Sequence, residues 1–147
     1  ARLLFFRLRR LGFQASLIPS GGSEVLEGIA HAGEGDLAIL FSFSKVSEEG
    51  RMILDYAREA GCSTLAFTSR LYAPQEQRAD VNLYVYRGEK EEFHTMSSAV
   101  AVIDALVLAL SDSMQPKAAE KLMRLQKLKK KYGRRLYGKE DGKSGQE

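Results

Sequence analysis

The chain contains one cysteine, Cys62, and only two histidines and three prolines among its 147 residues. A single cysteine excludes an internal disulfide and fits a reducing compartment. The sequence has no run of eighteen apolar residues and no signal-peptide pattern, so we expect neither a membrane span nor export, and hence a cytoplasmic protein. His31 has no histidine or cysteine partner at metal-ligand spacing. We therefore expect no metal and no cofactor.

Length and composition indicate one globular domain. Apolar residues make up 44% of the chain and charged residues 28%, which is ordinary for a folded domain of 147 residues. The sequence does not begin with methionine, and its first residues already have the pattern of a helix interior, with Leu4, Leu8 and Leu11 in one stripe. Because no capping residue precedes this helix, we expect the chain to be either a fragment or a truncated gene product whose natural form extends N-terminally.

The most informative stretch runs from Gly35 to Gly50. Leu37 to Phe41 are continuously apolar, as in a strand buried on both faces. Three serines follow at its carboxyl end, and then comes a helix that ends before Gly61. The apolar residues of that helix recur at three-to-four spacing and are Met52, Ile53, Tyr56, Ala57 and Ala60. The pattern therefore predicts a strand, a turn and a helix.

Such a turn suits an anion. The first N–H groups of a helix lack partners, and the helix dipole places partial positive charge there. The hydroxyls of Ser42, Ser44 and Ser47 can complete a cage around a phosphate. The alternative is that these serines only cap the N–H groups of their own helix.

The rest of the chain alternates between strands and helices. This alternation predicts a three-layer αβα domain with a parallel sheet and helices on both faces. Thr68 and Ser69 follow the second of the strong strands, at the end where parallel sheets bind ligands. The other predicted elements are strand Phe13 to Ile18, helix Glu24 to His31 capped by Ser23, strand Ser63 to Phe67, a short helix within Tyr72 to Arg78, strand Val81 to Tyr86, and helix Met96 to Leu110.

The residues from Ser42 to Glu49, with the sequence SFSKVSEE, resemble the phosphosugar-binding turn S-x-S-G-x-T-x-E of the SIS (sugar isomerase) domain family. Within that family the chain is most similar to the effector domain of RpiR-type bacterial transcriptional regulators. The supporting residues are Gly61 with the strand after it, Ala79-Asp80, and Ile103 to Leu106. The resemblance covers roughly Ala1 to Ser111. It implies a flavodoxin-like sheet whose first strand, with a glycine-serine loop, precedes the first helix and is missing from this chain.

The resemblance implies that the hydroxyls of Ser42, Ser44 and Ser47, with the N–H groups of Phe43 and Lys45, hold the phosphate. Thr68, Ser69 and Glu49 are possible residues of the pocket wall. Lys45 stands where the family has glycine, so it either crowds the phosphate out or adds a cation to the site.

The leading functional hypothesis is a sugar-phosphate sensor. Its ligand is a phosphorylated sugar or amino sugar, and the full-length parent binds DNA through a helix-turn-helix domain that this chain lacks. The alternatives are a phosphosugar isomerase, or a dimerisation module with a degenerate site. Glu91 and Glu92 are read as a solvated loop, so no catalytic residue is assigned.

The final apolar helix carries apolar residues on more than one side. Its own domain would cover only one of these sides, so we expect a homodimer or homotetramer.

The composition changes after Pro116. Residues 1–116 form the expected SIS-like domain, and residues 117–147 a basic extension with eleven lysines or arginines against four acidic residues. A helix from Ala118 to Tyr132 carries leucines on one side, and the chain beyond Gly138 is expected to be disordered. The basic helix either binds nucleic acid or docks on its own domain or a second copy.

Overall fold

Three parallel strands form the centre of the fold in a computed structural model that describes residues 1–18, 21–89 and 91–136. The helices and strands in chain order are α1 (Arg2–Arg10), α2 (Glu24–Ile29), β1 (Leu37–Phe41), α3 (Glu48–Glu59), β2 (Ser63–Thr68), β3 (Val81–Tyr84), α4 (Ser97–Ser113) and α5 (Lys117–Leu136), with a one-turn 3₁₀ helix at Gln75–Gln77.

The sheet has the order β1-β2-β3, and both pairings are parallel. Leu37 pairs with Ser63, and Leu65 pairs with Val81. Because all three strands run in the same direction, their carboxyl ends meet at one edge of the fold.

Helices cover both faces of this sheet, and each face has its own core. Ala66 and Phe67 are neighbours in β2 and point to opposite faces, as strand geometry requires. Phe67 packs with Leu4 of α1 and Ile103 of α4, whereas Ala66 packs with Leu54 of α3. Helix α2 packs against α3. The predicted three-layer α/β fold with a parallel sheet is confirmed.

The turn between β1 and α3 follows local rules. Ser47 caps α3, and its Oγ accepts a hydrogen bond from the N–H of Gly50 at 3.2 Å. After the helix, Gly61 has φ +73°, the left-handed conformation that favours glycine. Cys62 then enters β2 with only 7% of its surface exposed. The helix end before Gly61 was predicted from the sequence, and capping by a serine was the alternative to phosphate binding.

The predicted strand Phe13 to Ile18 is wrong, because these residues form no strand. A strand needs a neighbour for its N–H and C=O groups, and the only pairings among the described residues are those of β1, β2 and β3. β1 was predicted to be buried on both faces, and it contacts both cores: Leu40 lies in one, and Ile39 and Phe41 pack against the other. Its first residue, Leu37, is 53% exposed.

Smaller differences occur at the ends of elements. Helix α2 ends at Ile29 instead of His31, and the side chain of Ser23 makes no capping hydrogen bond. Strand β3 ends at Tyr84 instead of Tyr86, whereas α4 continues to Ser113 and α5 to Leu136. Element ends are set by a few local hydrogen bonds, which sequence periodicity does not resolve. The predicted disorder beyond Gly138 lies outside the described residues.

No single helix in the described part of the chain is both long and apolar enough to span a membrane. Helices α4 and α5 meet the length and composition criteria only as a pair, and the chain bends by 106° between them.

Candidate functional site

The carboxyl ends of the three strands surround a cavity of about 470 Å³. The turn after β1, the turn after β2, the segment after β3 and the loop before α4 all contribute to its wall. The residues that line it are Phe43, Ser44, Lys45, Ser69, Arg70, Arg87, Gly88 and His94. This is the edge of a parallel sheet at which ligands bind in α/β folds.

Hydrogen bonds hold the first two turns together. The N–H of Ser42 donates to the carbonyl of Phe67 at 2.9 Å, which extends the pairing of β1 and β2 by one step. The hydroxyl of Ser69 then donates to the carbonyl of Phe43. The wall of the cavity is therefore positioned by the sheet on its β1 and β2 sides.

Arg87 joins the end of β3 to the same turn. Its guanidinium lies over the ring of Phe43, with Cζ 4.6 Å from the ring centroid. Its Nε donates to the carbonyl of Thr95 at 3.3 Å, and the N–H of Thr95 donates back to the carbonyl of Arg87 at 2.9 Å. The planar side chain is thus held in place before any ligand arrives.

The cavity is electropositive. Lys45, Arg70 and Arg87 carry full positive charges, and no acidic residue is among the eight that line it. Guanidinium groups present forked N–H donors that match the oxygens of a phosphate or carboxylate. The hydroxyl of Ser44 adds a neutral donor beside them. The arrangement suits a small anion, and a phosphate above all.

Four of the predicted site residues lie together in this cavity: Phe43, Ser44, Lys45 and Ser69. Four others, Ser42, Ser47, Thr68 and Glu49, are not among its lining residues. Thr68 lies directly below the site, because its Oγ1 accepts a hydrogen bond from the N–H of Arg70 at 3.1 Å. It shapes the turn that presents Arg70.

The start of α3 is occupied by its own side chains. Ser47 caps the helix, because its Oγ accepts the N–H of Gly50. The N–H of Glu49 itself, followed by the hydroxyl of Ser47, lowers the pKa of Glu49. Glu48 forms an ion pair with Arg51 at 2.8 Å. Two carboxylates therefore already complement the positive end of the helix dipole, and the cavity lies beside the helix start.

Lysine at position 45 fits the turn without strain. Within residues 1–18, 21–89 and 91–136, only glycines have a positive φ, so the backbone of Lys45 needs no left-handed conformation. The residue is exposed and lines the cavity, which still has a volume of about 470 Å³.

Sequence reasoning did not assign Arg70, Arg87 or His94 to the site. Arg70 follows Thr68-Ser69 at the carboxyl end of β2, so the rule that selected those two residues also covers it. Arg87 and His94 stand on either side of Glu91 and Glu92, which were read as a solvated loop. Their place in the wall depends on how the segment after β3 folds back, for which the sequence carries no local signal.

A larger cavity of about 570 Å³ lies beside Asp80, at the amino end of β3. Its cationic groups are bound by the protein itself. The guanidinium of Arg58 donates to Asp55 at 2.7 Å and to the carbonyl of Arg78 at 3.0 Å, and Nε of Arg78 donates to the carbonyl of Ala73 at 2.6 Å. We assign a structural role to this end of the sheet, because these guanidinium groups already donate to oxygens of the protein.

Asp80 and Thr64 fasten β3 to β2 at that end. One carboxylate oxygen of Asp80 accepts from the N–H and from the hydroxyl of Thr64, both at 2.7 Å. The side-chain hydrogen bond, then the backbone one, lowers the pKa of Asp80.

Comparison with known proteins supports the fold. No curated protein matches the chain. The fold is similar to the sugar isomerase domain of an RpiR transcription factor from Sphaerobacter thermophilus, at 22% identity and a TM-score of 0.75, over 86% of this chain and 70% of that one. It is also similar to the Vibrio vulnificus NanR protein complexed with ManNAc-6P, at 19% identity and a TM-score of 0.76. That match covers 94% of this chain and 52% of NanR, so the chain spans about half of that protein.

The family assignment comes from residues 1–111, which match the SIS domain model. They contain β1, β2, β3 and every residue that lines the cavity at the carboxyl ends of these strands. The chain belongs to the SIS domain family.

Proposed function

We propose that this chain is the effector domain of a bacterial RpiR-type transcriptional regulator and that it binds a phosphorylated sugar or amino sugar. The observation that carries the proposal is the cavity at the strand ends, where three cations and the hydroxyl of Ser44 converge and none of the eight lining residues is acidic. Net positive charge with short neutral donors is the usual chemistry of a phosphate site.

In the proposed complex the phosphate lies between the β1 turn and the two arginines. Ser44 and the N–H groups of Phe43 and Lys45 donate to its oxygens, and Lys45 contributes its charge. Arg87 binds two oxygens with its fork, because the ring of Phe43 already fixes its plane. Ser42 and Ser47 act indirectly, by holding the turn and the start of α3.

The regulatory role is supported by the two similar structures, one from an RpiR transcription factor and one from a NanR protein with a bound amino-sugar phosphate. We propose that the full-length parent binds DNA through a helix-turn-helix domain outside this chain and works in the cytoplasm. Ligand binding would then shift a dimer between two states of different DNA affinity.

The proposed homodimer or homotetramer is supported by α4. One side of this helix packs into the core through Ala99, Ile103 and Val107, yet Leu108 is 69% exposed and Val100 39% exposed. Apolar side chains on the outer side of a helix are suited to burial by another subunit.

A phosphosugar isomerase fits the cavity less well. Moving a proton between adjacent sugar carbons needs a positioned base, which is most often a carboxylate or a histidine. None of the residues that line the cavity is acidic, and His94 is exposed. Absence of turnover with fructose 6-phosphate or arabinose 5-phosphate is the expected result.

Calorimetric titration of the 147-residue chain with N-acetylmannosamine 6-phosphate, glucosamine 6-phosphate and fructose 6-phosphate tests the proposal. At least one should bind, and the same sugar without its phosphate should bind at least about tenfold more weakly, because a charge-assisted phosphate contact contributes about 1.5–3 kcal/mol.

The double variant Lys45→Gln, Arg70→Gln should lose the preference for the phosphorylated sugar. The double variant Lys129→Gln, Lys130→Gln is the matched control, since it removes two exposed charges from α5, far from the cavity in sequence. Equal binding by the double variant and the wild type would disprove the assigned site.

A further inference from the structure

Positive charge is concentrated in two helices that contact each other. Helix α1 contains four arginines and no acidic residue, and α5 contains nine lysines or arginines and one glutamate. The whole chain has a net charge of +3, so everything outside these two helices has a net charge of −9. The molecule is therefore strongly polarised, with one basic region on an otherwise acidic body.

Lys121 joins the two helices. Its Nζ lies 3.5 Å from the carbonyl of Gly12, directly after α1, and its stem crosses the backbone there. A Cβ at Gly12 would lie 2.4 Å from Cδ of Lys121, which shows how closely the two segments pack. Arg9 and Arg10, in the last turn of α1, have exposed side chains and stand three and two residues before Gly12.

Most of the cations of α5 fall on one side of the helix. Five of its nine lysines and arginines follow one another at spacings of four, three, seven and four residues, which keeps these five within one strip of a helix with 3.6 residues per turn. All are exposed, and they extend over about 27 Å at about 1.5 Å per residue. We call this set the basic stripe, and its members are Lys117, Lys121, Arg124, Lys131 and Arg135.

Another side of α5, about a quarter-turn from the basic stripe, packs on the domain. Ala118 is buried against the core, and Leu122 and Leu125 are half-buried. From residue 126 to residue 132 every residue is exposed, so the second half of the helix projects beyond the domain. The first half is fixed by its apolar side, and the basic stripe faces outward.

We propose that the basic stripe, with Arg9 and Arg10, binds the phosphate backbone of duplex DNA. Duplex DNA carries one negative charge per about 1.7 Å of axis, a regular polyanion that a straight row of long cationic side chains can follow. These contacts position the protein and read no bases, since phosphates carry no sequence information.

An anionic membrane is the less suitable partner. A helix that lies in a membrane surface inserts a free apolar side among the lipids. In α5 Leu122 and Leu125 are half-buried, which leaves only Met123, Leu128 and Tyr132 as exposed apolar side chains among residues 117–133. The proposal is independent of the sugar cavity, whose lining residues all lie outside α1 and α5.

Fluorescence anisotropy of a labelled random duplex of about 20 base pairs, titrated with the 147-residue chain at several salt concentrations, tests the proposal. The logarithm of the association constant should fall linearly with the logarithm of the salt concentration, by about 0.9 per phosphate contact. The double variant Arg124→Gln, Lys131→Gln should reduce that slope by about 2.

Lys129→Gln, Lys130→Gln is the matched control, because it removes the same charge from the same helix but outside the stripe. It should reduce the slope by less than about 1. Equal effects of the two double variants would overturn the proposal in favour of diffuse charge. Absence of DNA binding at about 50 mM salt, with binding to phosphatidylserine vesicles instead, would also overturn it.

Both double variants should keep the helical circular dichroism and the sugar-phosphate affinity of the wild type. A stripe variant that loses DNA binding but keeps its affinity for the sugar phosphate would show that the two ligands bind to different surfaces. The proposal fails if DNA binding is lost only in variants that have also unfolded.

Discussion

At the scale of single residues, Ser44 and Ser47 show how similar side chains take different roles. Both were predicted to hold a phosphate. Ser47 accepts the N–H of Gly50 and caps α3, whereas Ser44 is exposed in the cavity wall. The sequence could not separate these roles, because a hydroxyl that caps a helix and one that binds an oxyanion occur in the same kind of turn.

Ser47→Ala should lower the free energy of unfolding by about 1 kcal/mol, the usual cost of losing a side-chain cap. Ser44→Ala should change it by less than about 0.5 kcal/mol, as expected of an exposed residue, while weakening sugar-phosphate binding. Urea denaturation and calorimetry measure the two quantities. The assignment is contradicted if the two alanine variants lose stability equally.

The low pKa of Asp80 predicts a specific pH dependence. Because folding lowers this pKa below its ordinary value of 3.8, Asp80 stabilises the fold above about pH 4, and that contribution disappears as the pH falls through the folded-state pKa. Between about pH 5 and pH 2, the wild type should therefore lose more stability than Asp80→Asn, which retains an oxygen for Thr64 but has no charge to titrate. Urea unfolding at a series of pH values checks this, and parallel pH profiles would contradict it.

At the scale of elements, sequence reasoning succeeded where the signal was local. The apolar run of β1, the serine turn and the periodic helix α3 were predicted with their correct order, and Gly61 with its conformation. It failed for Phe13 to Ile18, since a strand forms only with a partner strand and propensity alone does not provide one. It also failed for Arg87, whose guanidinium is held in the site by contact with the ring of Phe43, more than forty positions earlier in the chain.

This long-range contact yields a test that preserves charge. Arg87→Lys should weaken sugar-phosphate binding about tenfold, because an ammonium neither stacks on Phe43 nor presents a fork to two oxygens. Lys45→Arg is the control, since Lys45 is exposed and we propose that it contributes charge only. Its affinity should change less than about threefold in calorimetry. Wild-type affinity in Arg87→Lys would show that charge alone is sufficient.

At the scale of the whole molecule, the described sheet has one central strand and two edges. β2 pairs on both sides, whereas β1 and β3 each pair with β2 alone among the described strands. The outer edge of β1 therefore presents backbone groups that are available to another strand.

Hydrogen exchange should reveal the difference between the central strand β2 and the edge strand β1. Amides of β2 should be the slowest to exchange, and the amides of β1 that point away from β2 should exchange faster, since these are the less protected part of the sheet. The measurement is exchange followed by nuclear magnetic resonance at low protein concentration. If the outer amides of β1 slow down as the concentration is raised, a second copy covers that edge. Uniform slow exchange in β1 at every concentration would contradict the open edge.

The projecting half of α5 is also a segment at which a protease can cleave the chain. Its exposed lysines offer trypsin-like proteases a place to cut that is distant from the cavity. Residues 1–127 contain fifteen lysines or arginines and sixteen acidic residues, so a single cleavage after Lys127 would change the net charge from +3 to −1. The shortened product would retain the pocket but become an anion itself, repelled by any polyphosphate.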